Sequence, residues 1–98
     1  PAMSTKTLTL NIYKDDQLVE TKSLTQDVVK IGKLKSSHLC LDDDGVARLH
    51  AVIETSGNDV RLIDLGSAQG TMLNGAAIDK NAALSSGDTV QVGPYRIE

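Results

Sequence analysis

An all-β domain, an antiparallel sandwich or barrel of many short strands, is the fold class this sequence predicts, and three observations carry the prediction. Apolar residues alternate with period two in short runs. Turn-forming pairs punctuate those runs at short, fairly regular intervals. No window sustains a 3.6-residue period with helix caps. At 98 residues the chain has the length of one ordinary domain with a single core, and 40% hydrophobic with 23% charged residues is a globular composition.

Taken in order, Thr7 to Tyr13 (TLTLNIY) predicts the first strand, with Leu8, Leu10 and Ile12 facing a core and Thr9 and Asn11 facing water. Lys14 to Gln17 (KDDQ) is polar turn material, and Leu18 to Leu24 completes an expected hairpin. Val28–Ile31, Leu39–Leu41, Ala51–Thr55, Val60–Leu65 and Thr89–Val92 continue the series as short β-rich runs. SGND at Ser56–Asp59, NG at Asn74-Gly75, SGD at Ser86–Asp88 and GP at Gly93-Pro94 are turn chemistries. Three connections exceed what a hairpin needs: Gly32–His38, Asp42–His50 and Gly66–Leu73. Loops of a sandwich gather at its ends and carry most binding, so function is expected there.

Composition excludes several classes. A net charge of −3 with Tyr13 and Tyr95 as the only aromatics leaves neither the basic face nor the stacking rings of a nucleic-acid binder. No apolar run approaches the roughly 20 residues of a membrane-spanning helix, so no direct membrane insertion is expected. The single cysteine, Cys40, rules out an internal disulfide and fits a reducing compartment; between Leu39 and Leu41 it reads as a packed or strand-face thiol rather than a nucleophile paired with His38 or His50. Asp42-Asp43-Asp44 ahead of Gly45 lacks the alternating ligands of a calcium loop, and two histidines with one cysteine lack zinc spacing. Neither catalysis, metal nor cofactor is expected. Pro1-Ala2 ahead of Met3 resembles a cloning remnant, so residues 1–6 are expected to be a flexible N-terminus and residues 7–98 the domain, its last strand cut short at Glu98 within a longer protein. The expected location is cytoplasmic, on its own or as the cytoplasmic part of a larger or membrane-anchored protein.

The loops hold the informative chemistry. GKLKSSH supplies Lys33, Lys35, Ser36 and Ser37 behind Gly32; DDDGVARLH supplies Arg48 and His50; DLGSAQGTMLNG supplies Ser67, Gln69, Thr71 and Asn74 among Gly66, Gly70 and Gly75. Cations, hydroxyls and glycine-freed backbone N–H groups are what an oxyanion such as phosphate recruits. Spacing alone is equally compatible with Lys33, Lys35 and Arg48 being merely solvated.

These blocks resemble the forkhead-associated (FHA) domain family, whose pattern runs Gly-Arg, then Ser-Arg-x-His, then Asp-x-Gly-Ser-Thr-Asn-Gly-Thr with Asn-Gly a little further on. Here IGK stands at Ile31–Lys33, ARLHA at Ala47–Ala51 and DLGSAQGTMLNG at Asp64–Gly75, in order and at matching spacing, followed by SGDTVQVG at Ser86–Gly93. The resemblance spans nearly the whole chain and implies an FHA or SMAD-like antiparallel sandwich of about 10–11 short strands with binding loops at one end. It also implies phosphothreonine-peptide binding without catalysis, a protein partner phosphorylated by a Ser/Thr kinase, and a bacterial or eukaryotic signalling context, with a monomer favoured.

Carried over residue by residue, the resemblance places Lys33, Lys35, Ser36, Ser37, Ala47, Arg48, Ser67, Ala68, Gln69 and Asn74 at or beside the phosphopeptide. Gly32, His50, Asp64, Gly66, Gly70, Thr71 and Gly75 become loop architecture. Four positions depart from the family pattern: Lys33 replaces an arginine, Ala47 a serine, Ala68 a threonine and Gln69 an asparagine. Lysine keeps the charge but gives up the guanidinium fork that matches phosphate. The hydroxyl missing at Ala47 is worth about 1.5–3 kcal/mol when its partner is charged. Weak or altered phosphothreonine binding is therefore expected, the alternative being a degenerate, phosphate-independent scaffold in a larger bacterial signalling, secretion or motility assembly.

Overall fold

The computed structural model describes residues 7–98, so the expectation for residues 1–6 lies outside it. Eleven strands and no helix make up these residues: β1 (Leu8–Lys14), β2 (Gln17–Leu24), β3 (Val28–Gly32), β4 (Leu39–Cys40), β5 (Ala51–Ser56), β6 (Asp59–Asp64), β7 (Thr71–Leu73), β8 (Ala76–Ala77), β9 (Asn81–Ala83), β10 (Val90–Val92) and β11 (Tyr95–Ile97). They form a sandwich of two sheets, a six-stranded one in the order β2-β1-β11-β10-β7-β8 and a five-stranded one in the order β4-β3-β5-β6-β9. That decides between sandwich and barrel.

The alternation does what the sequence requires of it. Leu10 and Ile12 of β1 and Val29 and Ile31 of β3 are buried, as are Ile53 of β5, Leu62 of β6, Val90 and Val92 of β10, and Ile97 of β11, closing one core between the sheets. Thr9 faces out, as its register demands. Asp15 and Asp16 both take positive φ, 53° and 63°, giving the β1–β2 hairpin the left-handed turn that matches strand twist. An extra residue in β2 shifts the register between Ile12 and Tyr13, a bulge on an edge strand.

Three features differ from the sequence reading. β3 and β4 run parallel, Ile31 opposite Leu39 and Gly32 opposite Cys40, so the sheets are not wholly antiparallel. Residues 33–38 leave β3 and return alongside its own end, a loop with its ends pinned together. Thr71–Leu73, read as loop, is β7, because its backbone pairs with β10 from Thr71↔Val92 to Leu73↔Val90. β8 and β9, Ala76–Ala77 and Asn81–Ala83, escaped notice because alanine and asparagine are poor strand formers held here by backbone pairing to β7 and β6.

Candidate functional site

The three long loops meet at one end of the sandwich, joined by backbone first. Lys33 N–H donates to the Ala47 carbonyl (3.0 Å), Leu34 N–H to the Arg48 carbonyl (3.2 Å) and His50 N–H to the Ile31 carbonyl (2.9 Å), zipping residues 33–38 to residues 42–50. Gly32 makes this possible. A Cβ there would overlap the Arg48 carbonyl and press on that of Ala47, so only glycine permits the approach.

His50 then ties in the third loop. It is fully buried, Ala47 N–H donates to its Nδ1 (3.1 Å), and the ring proton therefore sits on Nε2 and is donated to the Gly70 carbonyl (2.8 Å). Gly70 takes φ +79°, which turns the chain into β7 at no side-chain cost. Its carbonyl meets the histidine there. Through its own carbonyl His50 also accepts from Leu65 N–H (3.0 Å).

A second brace centres on Asp64. Its carboxylate accepts from the Ser67 hydroxyl (2.6 Å), from the buried Thr71 hydroxyl (2.7 Å) and from Gly66 N–H (3.0 Å), caging the β6–β7 connection. Partial burial pushes this carboxyl up. The donations from Ser67, Thr71 and the Gly66 and Ser67 N–H groups outweigh that and hold it below the ordinary aspartate value of 3.8. Beyond it, Asn74 (φ 51°) and Gly75 (φ +85°) turn β7 into β8.

Two of the expected contact residues are held within the loops themselves. Ser37 is buried at 7% exposure with its hydroxyl enclosed, since its N–H folds back onto the Leu34 carbonyl (2.9 Å) and turns the side chain inward. Asn74 is exposed and uses part of its side-chain amide on the neighbouring turn, Nδ2 donating to Asp88 (3.1 Å) and Oδ1 accepting from Thr89 N–H (2.9 Å). Ser67 has committed its proton to Asp64, which leaves its oxygen only as an acceptor.

What remains open to a ligand is an exposed rim. Lys35, Ser36, Arg48, Ala68 and Gln69 are exposed, and Lys33 and Ala47 partly so. Among the described residues the Lys35 and Arg48 side chains have no hydrogen-bond or ion-pair partner. Lys33 Nζ reaches Asp44 at 3.2 Å, a contact the sequence reading, which weighed Asp42–Asp44 only as metal ligands, does not anticipate. Beside Gln69 lies a groove of about 370 Å³ lined also by Gly45, Gly70, Met72, Gln91, Gly93 and Pro94. Cys40 is exposed on edge strand β4, its thiol 3.6 Å from the Lys33 carbonyl. Among the described residues no three His, Cys, Asp or Glu side chains gather as a metal site, and no helix is long and apolar enough to cross a membrane.

The family model for the FHA domain matches this chain over residues 29–93, which hold all three loops and the buried histidine. The chain belongs to the FHA family. The glycogen accumulation regulator GarA of Mycobacterium tuberculosis is 36% identical over 74 residues, 76% of this chain and 45% of that protein. An oxoglutarate dehydrogenase inhibitor of Corynebacterium jeikeium is 34% identical over 74 residues, 76% of this chain and 51% of that protein. The FHA chain thus spans about half the length of these curated relatives. By name they are a regulator and an inhibitor. Among solved structures, the FhaA FHA domain in complex with the intracellular domain of another protein superposes with a TM-score of 0.80 at 32% identity, covering 91% of this chain and 94% of that one. An FHA domain from a study of phosphothreonine-dependent interactions gives 0.78 at 30% identity, covering 92% and 93%.

Proposed function

We propose that this FHA domain is a non-catalytic interaction module that reads a phosphothreonine segment of a partner protein in a bacterial cytoplasm. The observation that carries the reading is that the loop bearing Lys33 and Lys35 is zipped by backbone to the loop bearing Arg48, and that His50 ties in the loop bearing the exposed Gln69. Lys33 supplies the charge at the position of the family's arginine, Lys35 and Arg48 flank it, and Ser36 offers the hydroxyl missing at Ala47 and Ala68. Gln69 reaches the peptide backbone with one more methylene than asparagine, and the groove beside it receives a neighbouring peptide side chain. Phosphate brings about −1.5 to −2 charges and three acceptor oxygens, which single-point lysine contacts hold less tightly than an arginine fork. Binding is accordingly weak and salt-sensitive.

The substitutions at Lys33, Ala47, Ala68 and Gln69, together with the enclosed Ser37 hydroxyl, favour a second reading in which the loops engage an unmodified partner. Calorimetric titration with a degenerate phosphothreonine peptide library and its unphosphorylated twin, at low and physiological salt, separates the two. Heat from the phosphorylated pool alone, falling with salt, supports the reader; silence from both pools overturns it and leaves the phosphate-independent scaffold.

A further inference from the structure

We infer that Asp44 tunes the affinity of the rim by occupying Lys33 as an internal carboxylate that an incoming phosphate displaces, an inference that rests on the phosphothreonine reading above. Asp44 Oδ1 lies 3.2 Å from Lys33 Nζ, while the Asp44 side chain is otherwise fully exposed. The backbone that presents it is fixed. Asp43 N–H donates to the Leu41 carbonyl (3.1 Å), Val46 N–H to the Asp43 carbonyl (3.0 Å) and Gly45 N–H to the Asp43 carboxylate (2.8 Å), which itself pairs with Lys14 at 3.5 Å. Asp43 is thus consumed in holding the turn, and Asp44 is the acid of this run delivered to Lys33.

An exposed ion pair of this kind is worth about a fivefold factor in an equilibrium at most, so it yields readily. What displaces it depends on charge and tethering. A carboxylate on a peptide offers Lys33 the same single charge that Asp44 already supplies, and Asp44 supplies it from a short tether at an effective concentration in roughly the millimolar range. An acidic side chain therefore gains nothing by exchange. A phosphate carries about −1.5 to −2 charges and three oxygens and replaces Asp44 with a net gain. Asp44 in this way lowers the affinity for an incoming phosphate by no more than the factor that the ion pair is worth.

The test titrates the domain with one phosphothreonine peptide taken from the library and with twins carrying threonine or glutamate in its place. Asp44→Asn is expected to tighten the phosphothreonine peptide about two- to fivefold while leaving the preference for it over the glutamate twin no smaller. Asp42→Asn, the same charge change without a Lys33 contact, is expected to do less, and in a Lys33→Ala background Asp44→Asn is expected to do nothing. The inference is overturned if wild type binds the phosphorylated peptide and Asp44→Asn binds it no tighter, if Asp42→Asn gives an equal gain, or if the gain survives without Lys33. Should Lys33→Ala remove measurable binding, the comparison with Asp42→Asn decides. Failure of wild type and Asp44→Asn alike to bind the phosphorylated peptide takes down the phosphothreonine reading itself, a result distinct from wild type binding without a gain.

Discussion

His50 and Lys33 sit on neighbouring loops at the same end of the sandwich, yet they are held by different physics. His50 is enclosed and both ring nitrogens are engaged, one within its own loop at Ala47 and one on the third loop at Gly70. Lys33 is half exposed, and its ammonium has one surface carboxylate for company. Removing a group from the first kind of site strands buried polar partners, whereas removing one from the second exchanges an ion pair for water. A buried brace therefore controls stability and loop position, and under the proposed function the exposed rim controls what is bound. All four departures from the family pattern fall on the ligand side of this division, and Gly32, His50, Asp64, Gly70 and Thr71 on the other match the pattern.

That division can be broken most forcefully at His50. His50→Ala leaves the Ala47 N–H and the Gly70 carbonyl without partners and opens a cavity, and is expected to cost about 3–4 kcal/mol in urea unfolding. A loss under about 1 kcal/mol would mean that the brace holds nothing. Gly32→Ala forces the first two loops apart at the Arg48 carbonyl and is expected to cost about 2–3 kcal/mol. Both variants should also weaken peptide binding, but only through the loops.

Lys33→Ala sharpens the comparison from the other side. It is expected to weaken binding of a phosphothreonine peptide by about tenfold or more, with unfolding free energy changed by no more than about 0.5 kcal/mol. An equal loss in both measurements would erase the distinction between rim and brace. The smallest effect is expected from acid. Asp64 has its folded-state pKa below the ordinary 3.8, so its stabilising contribution is fully present above that value and is lost as the pH falls through the lower folded value. Asp64→Asn should flatten the acid limb of the stability curve below about pH 4 relative to wild type. An unchanged limb would move the acid sensitivity to Asp43 or Asp88. Both also have lowered values, Asp43 chiefly through Gly45 N–H and Asp88 chiefly through Ser85 N–H.

How much of this was legible in the sequence depended on whether a signal was local. The alternation of Leu8, Leu10 and Ile12 and the turn pairs at Asn74-Gly75 and Ser86–Asp88 are written within a few residues, and strands and turns follow from them. The parallel partnership of β3 and β4 is not written locally, since residues 33–38 between them read as any polar loop. Ser36 and Ser37 are adjacent and chemically identical in the sequence; only the fold-back of Ser37 onto Leu34 buries one and leaves the other open. Asn74 combined two signals, a polar side chain in a loop and an Asn-Gly turn, and the turn was the one that mattered. The Lys33–Asp44 pair spans two loops and could be seen only once they were zipped together.

The place of β11 in the six-stranded sheet has a consequence for the order of events as the chain is made. Tyr95–Ile97 lies between β10 and β1, pairing Ile97 with Ile12 on one side and with Val90 on the other. The β1–β2 hairpin can form as soon as its own residues leave the ribosome, yet its inner edge waits for a strand more than eighty residues downstream. Until Ile97 arrives, Leu10 and Ile12 lack their cover, and the five-stranded sheet carrying His50 has no finished partner to pack upon. The three long loops, all encoded upstream of β11, therefore have a complete sandwich to stand on only after β11 has been delivered.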